Sequence, residues 1–510
     1  MKYLIAAAAV QCAAMVVAAD VAFAPNVQPT PASIAVESNT LVRVDRGQTV
    51  AIACADGSDA AVEWAVEHFA EWFRFTDTGW LFTSVNAPCV KAVAFSGEPV
   101  KGGDEAYELV ARPEGISIRA NTLQGVRYAL YTMRQTLLAM PRDGRKTEWY
   151  AMPALKVADA PAMKFRGMHI PWNMKSTPVE IEKRVRLSAY LKYNYAVIEP
   201  WGTFRSKRHP WWGWKEGTMT PEAIGRIVKT GKDLGITLVP QIPAFGHASM
   251  GITSPGRHAI LDAHGEYAPL FESLNGWNWC LSNPETLKVQ FELIDELAGL
   301  FDNPPYFHVG CDEAAKPNCP KCLASDYRAL VVKHILALHR GLKERGSKMM
   351  LWHDMFLKAG DGRWKGFYAN GTDETVKAFE DFPRDIVVCD WFYGKKAKEY
   401  PSLRHFKEMG FEVVTCPWHE RSGTEAQGVA ARELGILGML VTSWGDGQGK
   451  QRGRVYADIF AAGSYAAWGA PYVESDLWKW HYDLDIIRNL RDVEHDMHLE
   501  DFSDTGTYSD

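Results

Sequence analysis

The stretch Tyr306–Pro317, "YFHVGCDEAAKP", contains the pattern from which the fold prediction starts. Its first residues are mostly apolar and predict a short buried β-strand, which ends at two adjacent carboxylates, Asp312 and Glu313. Like charges this close repel, and each raises the pKa of the other. The pair is therefore either turned out to solvent or held together because a reaction needs it.

Seven further apolar runs, rich in β-branched and aromatic residues, repeat this pattern. Several are separated by helical stretches with clear start signals, such as Thr177 as a cap, Pro178 in the first turn and Glu180 closing a capping box. Eight strand–helix units over roughly 280 residues predict a (β/α)8 TIM barrel with a parallel sheet, and a doubly wound open sheet is the alternative. The eight runs are "FRGMHIPW", "YNYAVIEPW", "GITLVPQI", "PYFHVGCDE", "KMMLWHDM", "DIVVCDWFY", "FEVVTCPW" and "LGMLVTSW".

The rest of the chain divides into three segments. Residues 1–19 have one lysine, an apolar stretch and small residues at the end, which predicts a signal peptide, with an uncleaved anchor as the alternative. Residues 20–155 predict a small α/β domain that includes a hairpin around Pro113–Gly115, and "MPALKVADAPAM" (Met152–Met163) predicts a linker. The barrel is assigned to residues 160–472, and residues 473–510 predict a helical tail that packs on it.

The overall charge excludes some functions. The chain has 510 residues, with 56 Lys plus Arg against 62 Asp plus Glu, and a formal net charge of −6. This balance provides no basic surface for nucleic acid and no polybasic membrane patch. After the signal peptide no stretch is apolar enough to span a bilayer. We therefore expect a soluble exported protein, periplasmic or secreted, that binds no nucleic acid.

The sequence does not decide whether the cysteines form disulfides, bind a metal or remain free thiols. Cys54 and Cys89 are a possible disulfide, which export permits. Cys319 and Cys322 form "CPKC", which fits a disulfide, half of a zinc site or two free thiols. Zinc needs two more ligands, and the chain has no second CxxC. We therefore predict no metal and no cofactor.

The predicted strand ends collect aromatic rings and carboxylates. In TIM barrels the catalytic groups lie at these carboxyl ends. Indole rings stack on the C–H faces of a sugar, and carboxylates accept bonds from its hydroxyls, so the set favours a carbohydrate site. Singly, each tryptophan could equally belong to the core, and only their recurrence favours a site. The set is Trp172, Glu199, Trp201, His247, Asp312, Glu313, Trp352, Asp354, Asp390, Trp391, Tyr393, Trp418, Trp444 and Asp446.

Adjacent carboxylates favour one type of glycoside hydrolysis. Successive strand residues point to opposite faces, so Asp312 and Glu313 can serve one site only where the strand turns into a loop. Most glycosidases place an acid and a second carboxylate on either side of the sugar, for which neighbours are poorly placed. Neighbours suit attack by the substrate's own 2-acetamido oxygen. One carboxylate then holds the acetamido nitrogen, while the other acts as acid and then base, kept protonated by its neighbour's charge.

At this point the chain resembles a known family. "HVGCDE" resembles the H-x-G-x-D-E motif of glycoside hydrolase family 20, the exo-acting β-N-acetylhexosaminidases. "GISIRANTLQGVRYALYTMRQTLL" is similar to the non-catalytic domain that precedes this family's barrel, and "WNWCLSNPET" is similar to the family as well. The resemblance implies a retaining enzyme without a metal that removes terminal β-linked N-acetylhexosamine from a glycan or glycoconjugate.

The resemblance also implies roles for individual residues. Glu313 would be the general acid/base and Asp312 the group that holds the acetamido nitrogen. Among the substrate-binding residues, Tyr393 would donate to the acetamido oxygen and Asp446 would hold distal hydroxyls. The others are His247, which matches a P-G-H stretch, His308, which would support the site from within the strand, and the pocket walls Trp352, Trp391 and Trp444.

Some positions depart from the common family pattern. Pro171 and Met174 stand where an aspartate and a sugar-binding arginine are usual. These departures resemble the divergent hexosaminidase D branch, in which "IE" ends strand two and Glu199 would replace the lost hydroxyl-binding groups. The resemblance leaves N-acetylgalactosamine and N-acetylglucosamine both open as the sugar.

Two other readings remain open at this point. One is a non-catalytic glycan-binding protein on a degenerate barrel. The other is a metal-dependent hydrolase that uses His247, His308, His353 and Asp354.

Overall fold

The structure of the chain is a computed structural model that describes residues 27–45, 49–54, 59–69, 81–84, 91–140, 149–173, 176–213, 217–248, 259–272, 276–444 and 452–471. The predicted signal peptide, the predicted tail, Cys89, Met174 and Asp446 lie outside the described residues. Among the described helices, none combines the length and the apolar character needed to cross a membrane.

The amino-terminal part is a mixed sheet with helices packed against it. The predicted hairpin is confirmed, since Tyr107 pairs antiparallel with Ala120 and Arg112 with Gly115. The strands lie in the order β1-β8-β5-β6-β4-β2-β3, and β7 pairs with β8. They are β1 (Ser33–Asp45), β2 (Thr49–Cys54), β3 (Leu81–Ser84), β4 (Lys91–Ser96), β5 (Tyr107–Arg112), β6 (Gly115–Ala120), β7 (Leu138–Met140) and β8 (Trp149–Asp159), with helices α1 (Asp59–Trp64, continued by a π-helical turn Ala65–Phe69) and α2 (Leu123–Thr136).

The predicted linker at Met152–Met163 is wrong for most of its length, because β8 continues to Asp159 and pairs with both β1 and β5. A proline cannot donate to a strand ladder, which is why Pro153 suggested a break. Here Pro153 falls between two ladders, since β7 pairs with β8 only up to Ala151 and β5 only from Leu155 onward. The strand therefore tolerates the missing N–H.

The predicted (β/α)8 barrel is confirmed. Eight parallel strands follow one another in the order β11-β10-β9-β16-β15-β14-β13-β12. A parallel bridge between Gln241 and His308 joins the two ends, so the sheet is closed and the open-sheet alternative is wrong. The strands are β9 (Phe165–Trp172), β10 (Tyr195–Pro200), β11 (Thr237–Pro240), β12 (Tyr306–His308), β13 (Lys348–Trp352), β14 (Val387–Phe392), β15 (Glu412–Pro417) and β16 (Gly438–Val441).

Helices follow the barrel strands, and the predicted caps are confirmed. Thr177 and Glu180 form a capping box, Thr220 and Asn283 accept bonds from helix N–H groups, and Gly235 ends its helix at a φ of 78°. The helices are α3 (Pro178–Tyr190), α4 (Pro221–Leu234), α5 (Ala259–Ala263), α6 (Pro284–Leu300), α7 (Pro320–Leu323), α8 (Tyr327–Glu344), α9 (Asp373–Phe379), α10 (Pro401–Glu408), α11 (Arg421–Leu434) and α12 (Arg452–Trp468).

Side chains from the barrel strands fill the barrel interior. Near the strand starts, the Phe165 and Tyr195 rings stack with centroids 4.4 Å apart and Tyr306 packs edge-on against both. At the carboxyl end, Trp352 and Trp391 are both buried. Between these layers lie Val197, Val239, Met350, Val387, Cys389, Val414, Cys416 and Leu440.

A buried ion pair joins the two parts of the chain. Asp159, the last residue of β8, accepts from Lys192 Nζ at 3.1 Å, and neither side chain is exposed. Asp159 also accepts from the Tyr107 hydroxyl at 2.7 Å and from Trp468 Nε1 at 2.7 Å. One carboxylate therefore connects the amino-terminal sheet, the loop after α3 and the last described helix.

Removing this carboxylate should destabilise the protein strongly. Asp159→Ala would leave the buried Lys192 ammonium with the Tyr107 hydroxyl but without its anionic partner, which costs about 3–5 kcal/mol in the free energy of unfolding. The same substitution at the exposed Asp381–Arg328 pair should cost about 1 kcal/mol or less. Chemical denaturation of both variants measures the difference. Equal losses in the two variants would contradict the role given to Asp159.

Candidate active site

The predicted carboxylate pair lies on a strained loop after β12. Non-glycine residues at positive φ are rare and cluster at functional sites. Here Cys311 has a φ of 81° and Glu313 a φ of 46°, and His247, on the facing loop, has a φ of 55°. The alternation of a regular strand is broken at this point. As a result Asp312 Oδ2 and Glu313 Oε2 lie 3.5 Å and 3.3 Å from the same atom, His247 Nε2.

A glycine allows the two loops to approach each other. A Cβ atom on Gly246 would lie 2.1 Å from the backbone oxygen of Asp312 and 2.9 Å from the nitrogen of Ala314. Backbone atoms cannot move aside as a flexible side chain can, so a larger residue here would push His247 away from the carboxylates.

The backbone of Glu313 is held from both sides. Its N–H donates to Asp354 Oδ2 at 2.9 Å, and its carbonyl accepts from Trp277 Nε1 at 2.7 Å. Asn278 then binds both the N–H and the carbonyl of Ala315. Glu313 is thus fixed at its backbone while its side chain remains 48% exposed, whereas that of Asp312 is 14% exposed.

The three titratable groups shift one another's pKa. Burial disfavours the charged form of His247, but the Asp312 and Glu313 carboxylates outweigh it and raise its pKa to about 9. Burial raises the pKa of Asp312 to about 8. The contact with His247 lowers the pKa of Glu313. The sequence predicts Glu313 as the protonated carboxyl; burial of Asp312 and the contact of Glu313 with His247 instead favour a proton on Asp312.

This arrangement still contains the proton that an acid catalyst needs. Near neutral pH the three groups hold a cationic His247, a neutral Asp312 and an anionic Glu313. A state with ionised Asp312 and protonated Glu313 has the same number of protons and the same net charge. Any ligand that donates a hydrogen bond to Asp312 favours its ionised form. Such a ligand therefore shifts the proton towards Glu313 without uptake from solvent.

Glu199 faces a histidine and not a loop backbone. It is 4% exposed, and its Oε2 lies 2.8 Å from His169 Nε2. His169 Nδ1 lies 3.1 Å from the carbonyl of Ser443. His169 therefore connects Glu199 to the backbone of the loop after β16. Glu199 also contributes to the raised pKa of Asp312, so it belongs to the same site.

The predicted aromatic residues lie together. Trp444 Nε1 donates to the Tyr393 hydroxyl oxygen at 2.6 Å. The hydrogen of the Tyr393 hydroxyl is therefore still able to donate to another group. The Trp391 ring stacks on Tyr393 with centroids 5.1 Å apart, and Trp352 lies 5.7 Å from Trp444. Tyr393 and Trp444 are half-buried, while Trp352 is fully buried and forms the floor beneath them.

His308 supports the catalytic loop from below. It is fully buried, its Nδ1 accepts from the N–H of Gly310 at 3.0 Å, and its ring lies 4.3 Å from that of Trp352. Burial lowers its pKa well below the usual value, so the ring is neutral. This is a core histidine, and its bond to Gly310 connects it to the loop that carries Asp312.

The metal-dependent reading finds no support in the geometry. In the described part of the chain, His247, His308, His353 and Asp354 do not form a ligand set; the one group of metal-ligating side chains close enough to share an ion is Glu272, Cys280, Cys319 and Cys322. His353 instead lies 3.4 Å from Asp390 and 3.1 Å from the carbonyl of Tyr368.

Several residues that build the site were not assigned to it from the sequence. Asp354 stood among the strand-end carboxylates, but its bond to the Glu313 backbone gives it a part in the site. Trp277 and Asn278 lie in the quoted "WNWC" stretch, which was the available signal. Tyr368, whose ring lies 4.0 Å from that of Trp391, follows no strand of the barrel and had no signal. His169 lies inside β9 and was ambiguous.

Comparisons with known proteins agree with this geometry. Two family models match: the glycosyl hydrolase family 20 catalytic domain over residues 168–444 and domain 2 of the same family over residues 24–160. In fold, the chain is similar to the family 20 β-N-acetylhexosaminidase of Streptomyces coelicolor, with a TM-score of 0.66 and 16% identity over 95% of this chain and 98% of that one.

Curated relatives match over part of their length. A lacto-N-biosidase of Bifidobacterium bifidum is 26% identical over 264 residues, which is 50% of this chain and 22% of that protein. A β-hexosaminidase of Porphyromonas gingivalis is 24% identical over 289 residues, which is 50% of this chain and 36% of that protein. The match thus spans well under half of either relative. Because the catalytic-domain model matches more than half of this chain, the chain belongs to glycosyl hydrolase family 20.

Proposed function

We propose that the chain is an exo-acting β-N-acetylhexosaminidase that removes terminal β-linked N-acetylglucosamine or N-acetylgalactosamine from glycans with retention of configuration. The observation that carries this proposal is the placement of Asp312 and Glu313 on one loop, both within 3.5 Å of His247 Nε2. Two carboxylates on one loop suit a reaction in which the substrate supplies the nucleophile.

In the first step the acetamido carbonyl oxygen attacks C1 and the glycosidic C1–O bond breaks. Asp312 accepts a hydrogen bond from the acetamido N–H and stabilises the positive charge that develops there. This bond favours ionised Asp312, so the shared proton moves to Glu313, which donates it to the leaving oxygen. Fixing the Glu313 backbone by Asp354 and Trp277 keeps this proton in reach of that oxygen.

In the second step water attacks C1 from the face that the leaving group vacated. Glu313, now ionised, takes the proton from this water as the general base. The C1–O bond to the acetamido oxygen breaks, and the acetamido group is restored. Two inversions at C1 give net retention. No step requires an atom that the sugar, water and these two residues do not supply.

The remaining groups bind the sugar. Tyr393 donates its hydroxyl hydrogen to the acetamido oxygen, and the half-buried Trp444 contacts the sugar ring. Glu199 lies directly across from Pro171 in the β9–β10 register. We assign Glu199, together with His169, the hydroxyl-binding role of the groups that the common family pattern places on strand one.

A panel of aryl glycosides tests the proposal. We expect hydrolysis of the aryl β-N-acetylglucosaminide, the β-N-acetylgalactosaminide or both, and none of the aryl β-glucoside, which lacks the internal nucleophile. The ratio of the two acetamido rates also measures the sugar preference. Equal turnover of the glucoside would contradict substrate assistance, and saturable binding of all three without turnover would favour a glycan-binding protein.

Glu313→Gln is the matched catalytic variant in the same assay. We expect a loss on the order of 10²–10⁴-fold in kcat/KM, largest for substrates with poor leaving groups, because these depend most on protonation. Glu408→Gln, an exposed position on α10, should retain the parent rate. Parent-like rates for Glu313→Gln would rule out its assigned role.

The pH profile of kcat/KM should be bell-shaped with an alkaline limb near pH 8. Above the Asp312 pKa of about 8 the site loses the shared proton, and activity falls as pH rises. At low pH a second proton binds the carboxyl pair and Asp312 is no longer ionised. The His247 cation lowers the pKa of both carboxyls. Because His247→Asn removes this cation, both pKa values should rise, and both limbs of the profile should move to higher pH.

His339→Asn is the control for this experiment. His339 pairs with Asp385 outside the site, and its loss should leave both limbs in place. Limbs that stay unchanged in His247→Asn, or that move to lower pH, would contradict the proposed electrostatics.

A further inference from the structure

Beside the catalytic loop, three thiols and one carboxylate meet in the protein interior. The ligand atoms of Glu272, Cys280, Cys319 and Cys322 all lie within 4.8 Å of one another. Glu272 and Cys280 come from the segment before α6, while Cys319 and Cys322 flank the start of α7. The fold thus adds two ligands to the "CPKC" pair that the sequence alone left incomplete.

The sulfur positions fit a shared ion better than a covalent bond. Cys280 Sγ lies 3.6 Å from Cys319 Sγ and 3.8 Å from Cys322 Sγ. Ligands placed tetrahedrally at a zinc–sulfur distance of about 2.3 Å lie about 3.8 Å apart. A disulfide would need sulfurs about 2.05 Å apart. One cysteine nearly equidistant from two others at this spacing is the geometry of a metal site.

The carboxylate has an oxygen left over. Glu272 is 5% exposed, and its Oε2 accepts from the backbone N–H of Asn318 at 2.9 Å and of Cys319 at 3.2 Å. Its Oε1 is buried, and among the described residues no backbone N–H or cation pairs with it; the side chain beside this carboxylate is the Cys322 thiol. An unpaired buried carboxylate oxygen is costly. A bound cation at this position would satisfy it.

We propose that Glu272, Cys280, Cys319 and Cys322 bind one zinc ion. Thiolate ligands select soft or borderline metals, and three sulfurs with one carboxylate oxygen complete a tetrahedral set. All four positions are taken by protein side chains, so the ion has no open position for water or substrate. The site is structural and takes no part in bond breaking.

The position of the zinc site also lets it affect the catalytic loop, an inference that rests on the proposed function. Between Glu272 and Cys280 lie Trp277 and Asn278, which bind the backbone of Glu313 and Ala315. Cys319 and Cys322 follow shortly after on the chain that leaves the catalytic loop. The zinc ion therefore ties together the two segments whose hydrogen bonds position the acid/base, and its four ligands act as positioning residues.

The first test of the zinc site measures metal content and does not depend on enzyme activity. Untagged protein purified without chelator should contain one zinc ion per chain by elemental analysis. X-ray absorption at the zinc edge should show about three sulfurs at about 2.3 Å and one lighter ligand. Cys280→Ala and Glu272→Gln should lower the zinc content, while Cys416→Ala, a buried cysteine of β15, should retain it.

Two results would overturn the site, and neither depends on a variant that folds. One is reduced wild-type protein that binds no zinc after dialysis against zinc chloride. The other is a disulfide among Cys280, Cys319 and Cys322 in peptide maps of protein purified without reductant.

The positioning effect needs a separate measurement. After chelation, at a temperature well below unfolding, we expect kcat on an aryl N-acetylhexosaminide to fall while KM stays unchanged, and zinc to restore kcat. A zinc-loaded site whose removal leaves kcat unchanged would refute the positioning effect but not the site. Absence of turnover in loaded protein would refute the proposed function and leave the zinc measurements standing.

Discussion

The contact of one histidine with two adjacent carboxylates is the interaction on which the site depends. Neighbouring carboxylates repel in a partly buried position, and the His247 cation offsets this repulsion. Burial of Asp312 favours the proton on that carboxyl, and a hydrogen-bond donor that binds Asp312 favours transfer of the proton to Glu313. A reaction that needs one acid and one anion side by side is thus prepared without any change in net charge.

The rest of the structure holds this contact in place. The barrel closes through the Gln241–His308 bridge, which places the loop after β11 against the loop after β12. His247 and Glu313 lie on these loops at positive φ, conformations that cost about 1–3 kcal/mol each and persist only when the surroundings impose them. Gly246, Asp354, Trp277 and the buried His308 provide those surroundings.

Much of the fold followed from local chemistry. Apolar runs, capping residues and the helix-ending Gly235 are signals carried by a few neighbouring residues, and the structure confirms the barrel and the amino-terminal hairpin. The linker prediction at Pro153 was wrong because the tolerance of that proline depends on which strands flank β8. Sequence does not carry that information locally.

The sequence predicted which residues form the site better than it predicted their protonation states. Strand ends predicted the carboxylates and aromatic rings, since parallel strands all end on one side of a barrel. The location of the proton depends on the burial of Asp312 and on the contact between Glu313 and His247, and the side chains of the cysteine cluster come from two separate segments of the chain, so neither followed from a motif.

The most direct test of the account varies the nucleophile within the substrate. Aryl β-N-acetylhexosaminides carrying one, two or three fluorines on the acetyl group have a progressively less nucleophilic carbonyl oxygen. If that oxygen attacks C1, kcat/KM should fall steeply with each fluorine added. Rates that do not change across the series would contradict the central claim, because the carbonyl oxygen would then take no part in the step that breaks the glycosidic bond.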